Sequence, residues 1–180
     1  MLKVATIAAA LLVVSASTTV FADAGTPSAA SDARQGSLGV GVLASSDSFL
    51  NLGVALEGTL PLGAAPVWLH ALVATGKSGD AEGTGDFKQG RAGAELRSCT
   101  SRGGACLLVG GDVGLQRETW SKNMEDETHT GLIVGPRAGL DAGGEHLRLR
   151  ASLELLAFHD GYLERWRSSP GATVALAYRF

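Results

Sequence analysis

Ala172-Thr173-Val174-Ala175-Leu176-Ala177-Tyr178-Arg179-Phe180 ends the chain with two unlike faces. Its even positions are apolar and become aromatic at the tip, while its odd positions are small or polar. A period of two is the signature of a β-strand whose faces meet different surroundings. An exposed edge strand is normally protected by charge or proline. Here the apolar face runs unbroken to the last residue, which suits a closing strand lying against something oily.

Working back from that strand, seven more segments alternate in the same way. They are read at 36–44, 50–60, 67–76, 87–98, 106–117, 130–142 and 146–157, with the terminal strand at 171–180. One alternate row of each is apolar, as in Leu38-Val40-Val42, Leu52-Val54-Leu56 and Leu149-Ala151-Leu153-Leu155. The only formal charge on these rows is Lys88, at the start of its segment. The facing rows carry Glu57, Arg91, Glu95, Arg97, Asp112, Arg137, Asp141, Arg148, Arg150, Glu154 and Arg179, with His70 among them. A charge facing lipid costs about 2–4 kcal/mol at mid-bilayer and little at the interface. Apolar rows facing outward and charged rows facing inward therefore predict an all-β, eight-stranded antiparallel up-and-down transmembrane barrel. A soluble periplasmic barrel with the apolar rows turned inward onto a small apolar ligand would alternate too.

Composition agrees with short segments separated by turns. The chain has 180 residues, 45% of them hydrophobic, with 25 glycines and a net charge of −3. Nothing in that balance suggests a nucleic-acid partner. No apolar run reaches the length of a membrane helix. Lys3 followed by the apolar run Val4 to Val14 reads as a secretory signal spanning residues 1–22. Cleavage is expected after Ala22, with Ala24 as the second choice, and residues 23–35 form a flexible leader ahead of a barrel at 36–180. Cys99 and Cys106 fall in the exported part, so the expectation is a disulfide across a turn. Closing so short a loop contributes roughly 2.5 kcal/mol in the chain-entropy treatment.

The connections point the same way. Pro61 to Pro66, the cysteine turn and Gly143-Gly144 are short or stapled, while Lys77–Asp86, Glu118–His129 and Phe158–Pro170 read as longer polar loops. Only Ser45 to Phe49 is short on that second rim. Long loops on one rim and short turns on the other is the asymmetry of an outer-membrane barrel. Pro136, in mid-strand, lacks a ladder donor, and a bulge is the expected accommodation.

Together the export signal, eight alternating strands and the terminal Ala-Leu-Ala-Tyr-Arg-Phe resemble the small outer-membrane β-barrels of the OmpA and OmpX type. The likeness covers residues 36 to 180 and lies in pattern. It implies residence in the outer membrane of a Gram-negative bacterium. It also implies that Leu176, Tyr178 and Phe180 form the signal read by the barrel-assembly machinery. Outer-membrane lipid and lipopolysaccharide are the implied partners. Aromatics are few, and the interfacial girdle is expected at Trp68, Phe87, Trp120, Tyr162, Trp166 and Tyr178.

The chemistry-bearing residues point to a structural interior. Arg91, Glu95 and Arg97 share one strand face, with Glu57 expected before them and Asp112 after. Arg148, Arg150 and Glu154 form a second row opposite Asp141 and Arg137. Six arginines against five carboxylates fill a narrow barrel with ion pairs rather than lining a pore. No histidine pair has zinc-helix spacing and no glycine-rich loop precedes a helix, so no metal or cofactor is expected. A lipid A-modifying hydrolase or acyltransferase using His159 or His129 is the alternative. Neither histidine sits in a nucleophile–base–acid pattern, and no catalysis is expected. Trp120 and the stretch Tyr162 to Arg167, with Arg165, Trp166 and Arg167, are the candidate lipid- or ligand-contacting loop residues. Deleting Phe180 should impair membrane assembly, seen as a smaller heat-modifiable fraction on a gel. Normal insertion of the truncated chain would remove its role as an assembly signal.

Overall fold

The structure, a computed structural model, describes residues 35–46, 50–63, 65–79, 84–100, 104–122, 125–160 and 165–180. The signal, its cleavage sites and nearly all of the leader lie outside the described residues. Eight strands follow in order: β1 Ser37–Ser46, β2 Leu50–Pro61, β3 Val67–Gly79, β4 Thr84–Cys99, β5 Ala105–Lys122, β6 Glu125–Gly143, β7 Leu147–Asp160 and β8 Arg165–Arg179. Each pairs antiparallel with its sequence neighbour, and β8 returns to β1 to close the barrel.

The terminal segment makes that closure. Leu38↔Tyr178, Val40↔Leu176 and Val42↔Val174 pair in one register, and the Phe180 amide donates to the Gly36 carbonyl at 3.0 Å. The alternation then sorts every strand into two faces. Val40, Val54, Val73, Val113, Leu115 and Leu155 are all more than half exposed, while Leu43, Leu72, Arg148, Arg150 and Phe158 are buried. On β5 the outward apolar row runs from Leu107 to Leu115 and is followed by Arg117. Nine tilted residues reach roughly 20–25 Å, close to the apolar band of a membrane barrel. Water is a poor match for such a wall.

Strands on the long-hairpin rim extend further than composition suggests. The expected loops at 77–86, 118–129 and 158–170 are mostly continuations of β3–β4, β5–β6 and β7–β8. Pairs such as Lys77↔Asp86, Thr119↔Thr128 and His159↔Trp166 keep the ladders going above the apolar band. Polar side chains face outward there, so the composition becomes loop-like while the backbone stays paired.

Pro136 is accommodated without the expected bulge. Val134↔Ala157 and Arg137↔Glu154 keep one register on either side of it, and only the pairs at Gly135 and Pro136 are missing from the β6–β7 ladder. An inserted residue would have turned every later side chain to the wrong face. On the opposite rim, Cys99 and Cys106 sit directly across β4 and β5 and form a disulfide. Gly143, at φ +150, begins the β6–β7 turn in a conformation that disfavours a Cβ.

The interior is layered as well as charged. Leu43, Ala55, Leu72, Ala74 and Phe87 form one buried apolar cluster, and Ile133, Leu156 and Phe158 form a second. Both lie nearer the long-hairpin rim than the charges on their own strands. Leu72→Ala should lower stability by about 2–5 kcal/mol because it opens a cavity. Its outward neighbour Val73→Ala opens none and should cost less, as read from denaturant unfolding in micelles.

Candidate functional site: an ion-pair network inside the barrel

All eleven of the charged residues assigned to the interior from alternation are buried. The second row pairs across neighbouring strands as expected, Arg148 and Arg150 both meeting Asp141, but the first row does not. Arg91 on β4 meets Glu154 on β7 with both guanidinium nitrogens, at 2.6 and 2.7 Å, crossing the interior. Arg150 on β7 bridges Asp141 at 2.9 Å and Glu57 on β2 at 3.1 Å, and also reaches Ser37 on β1 at 3.3 Å. Glu57 therefore answers the β7 arginine rather than the β4 row. Arg137 and Arg97 share Glu95, one oxygen each, the latter pair at 2.7 Å from Nε. Arg148 donates to Asp141 at 2.6 Å and to the carbonyl of Asp141 at 2.9 Å. Arg179, at the end of β8, is buried at the short-turn rim.

Backbone design makes room for these side chains. A Cβ on Gly114 would lie 2.5 Å from the Arg91 Cβ, so the strand facing Arg91 has to be bare at that position. Two- and three-way sharing lets a buried interior hold charges: a buried ion needs both a counter-charge and hydrogen bonds. Bidentate Arg–carboxylate geometry provides both.

His70 lies inside this network. Its Nε2 is 2.7 Å from an Arg137 Nη1 and its Nδ1 is 3.3 Å from an Asp112 oxygen. A guanidinium can only donate, so Nε2 is the acceptor in that contact and Nδ1–H donates to Asp112. The lone pair that a general base would use is thus already taken. Three interior residues escaped the sequence reading. Trp68, expected in the girdle, is buried, with the Arg97 guanidinium 3.8 Å from its ring centroid, a cation–π contact. Glu118, expected in a loop, is buried and accepts from Gln116 Nε2 at 2.6 Å. Phe87 is also buried rather than interfacial. Parity was the available signal: Trp68 shares its row with His70, and Phe87 with Arg91.

The rim residues are less concentrated. Trp166 is exposed on β8 and meets His159 edge-on, with ring centroids 4.9 Å apart. Tyr178 is exposed and stacks on His146 at the opposite rim. Trp120 stands within β5 opposite Gly85, and Arg167 within β8 opposite Phe158, so neither is a loop residue. Arg165 begins β8, while Tyr162 lies outside the described residues. His129 is 3.8 Å from Glu127 on β6. Among the described residues there is no cluster of metal-ligating side chains.

No family model matches the chain, and no curated protein matches it. Solved structures do. Neisserial surface protein A (NspA) superposes with a TM-score of 0.61 at 11% identity, covering 81% of this chain and 94% of that one. Ail, the attachment invasion locus protein of Yersinia pestis, gives 0.61 at 18% identity, over 82% and 99%. A second Ail structure, in complex with the heparin analogue sucrose octasulfate, gives 0.60 at 16% identity, over 82% and 99%.

Arg91→Ala should cost about 3–5 kcal/mol by stranding Glu154 in the interior. The double change Arg91→Met with Glu154→Leu should recover much of that loss, and a double-mutant cycle in denaturant measures the difference. The fold this chain shares with those proteins is the closed eight-stranded β-barrel of outer-membrane proteins.

Proposed function

We propose that the protein is a non-catalytic outer-membrane barrel, exported by its N-terminal signal, whose interior is closed by ion pairs and whose interactions run through its hairpin rim and lipid contacts. The observation that carries this reading is the inversion of polarity, with charged residues buried and large apolar residues exposed around the wall. A soluble barrel built around an apolar ligand would have the opposite arrangement. Ion pairs that cross from β4 to β7 and from β7 to β2 support an interior that does not conduct. Occupation of both His70 nitrogens by Arg137 and Asp112 supports the absence of a hydrolytic or acyl-transfer role in the interior. The hairpins that rise above the apolar band are the surfaces on which a partner outside the cell would act. The assembly machinery would engage Leu176, Tyr178 and Phe180, all exposed on the outer face of the closing strand.

Fractionation tests the location: the protein should require detergent for release and should migrate faster unheated than boiled. Recovery in the soluble periplasm would end the membrane reading. Planar bilayers should show no steady conductance, and lipid A mass spectra should be the same with and without expression. A spectral change abolished by His159→Ala would establish the enzyme instead.

A further inference from the structure

We infer that the outer wall of β3–β6 carries a binding site for a lipid with a phosphate-bearing headgroup, centred on Lys88 and Arg117. The inference rests on the membrane reading above and adds a place and a chemistry to it. Thr75, Lys88, Arg117 and Thr130 stand side by side in one register row across four strands. All four face outward and are exposed. They form the first polar row above the apolar band, directly over Val73, Leu115 and Leu132. That is the depth at which lipid headgroups begin.

The two cations are direct cross-strand neighbours, an arrangement that destabilises a sheet unless something offsets it. Neither has an ion-pair partner among the described residues. Of the acids close by, Asp86, on the outward row of β4, holds Lys77 at 2.6 Å, and Glu127, on the other row of β6, faces His129 at 3.8 Å. The Thr75 hydroxyl donates to the Phe87 carbonyl at 3.2 Å, which leaves Thr130 as the hydroxyl beside the cations. An ammonium, a guanidinium and a hydroxyl in one row match the oxygens of a phosphate ester. A dissolved anion would meet the same cations, but the wall below them favours a lipid. Ala92↔Val113 and Gly111↔Pro136 lie beneath on the same strands, and small residues there leave a shallow, open groove in the wall. The groove runs along the apolar face under the cation pair and gives an acyl chain a seat where its neighbours present leucine and valine.

The test uses the folded protein in phosphatidylcholine nanodiscs containing a minor share of bisphosphorylated lipid A, with inorganic phosphate as a separate arm. Retained lipid is read by native mass spectrometry. Heat-modifiable migration is recorded first: a chain that fails to fold in the bilayer overturns the membrane reading, whereas a folded barrel without lipid preference overturns only this site. Lys88→Gln with Arg117→Gln should lower lipid A retention roughly thirtyfold, two surface cations' worth. Lys77→Gln should change little because Lys77 is already paired, and Lys88→Arg with Arg117→Lys should keep the preference. Equal retention by the wild type and the double glutamine variant would overturn the site. So would displacement of the lipid by inorganic phosphate at matched concentration. Wild-type retention by Ala92→Leu, which fills the groove, would overturn the acyl-chain assignment.

Discussion

A buried charge has to be matched, and in this barrel that requirement reaches every strand. Arg150 alone touches residues 93 and 113 positions away in sequence, on β2 and β1. Thr173 of β8 donates to Glu154 at 3.1 Å, and His70 of β3 links Arg137 of β6 to Asp112 of β5. The Arg150 contacts with β2 and β1 do not exist in an open sheet, whereas Thr173–Glu154 already joins neighbouring strands. The network is therefore completed only once β8 meets β1, and an unclosed barrel would leave Arg150 and Glu57 short of a partner, at a cost of several kcal/mol in a low-dielectric interior. Closure and charge pairing become one cooperative event.

The outside of the wall obeys the opposite rule. Outward leucines and valines in water would be an aggregation surface of the kind monomeric soluble proteins avoid. In hydrocarbon they cost nothing, and closed hydrogen bonding between all eight strands removes the unpaired backbone edge that lipid would punish. The one interruption, at Gly135 and Pro136 on the β6–β7 ladder, lies beside the small-residue groove. The missing pairs and the missing side-chain bulk thus coincide on one stretch of wall.

Alternation made the two faces legible from sequence, because parity alone assigns each residue to the wall or the interior. Partner identity was not legible: Arg91 finds Glu154 across the barrel, and that depends on the stagger of strands, which no single strand encodes. Trp68 and Phe87 were placed at the interface by residue type, although their parity put them inside. Strand ends were lost above the apolar band, where Lys77, Asp86, Thr119 and Thr128 are polar on a backbone still fully paired. Pro136 suggested a bulge because proline lacks a donor. The barrel gives up two pairs there and keeps its register, since a shift of one residue would have sent Leu132 and Val134 inward and Ile133 into lipid.

The order of layers inside the barrel bears on where function can lie. On four strands an apolar residue stands above the polar one on the long-hairpin side: Ala55 above Glu57, Leu72 above His70, Ile133 above Arg137 and Leu156 above Glu154. Buried polar residues stand beside this layer on β4 and β5, at Gln89, Gln116 and Glu118, and Asn51 lies beyond it near the rim. Phe87 and Phe158 stand nearer that rim than the arginines of their strands, and Arg91, Arg97, Arg137, Arg148 and Arg150 each already have a carboxylate. Removing water strengthens those pairs, because Coulomb attraction grows as the dielectric falls. The apolar layer therefore tightens the ionic one beneath it. Among the described residues Lys88 and Arg117 stand together on the outer wall with no ion-pair partner, while the interior charges hold one another and the shape of the barrel.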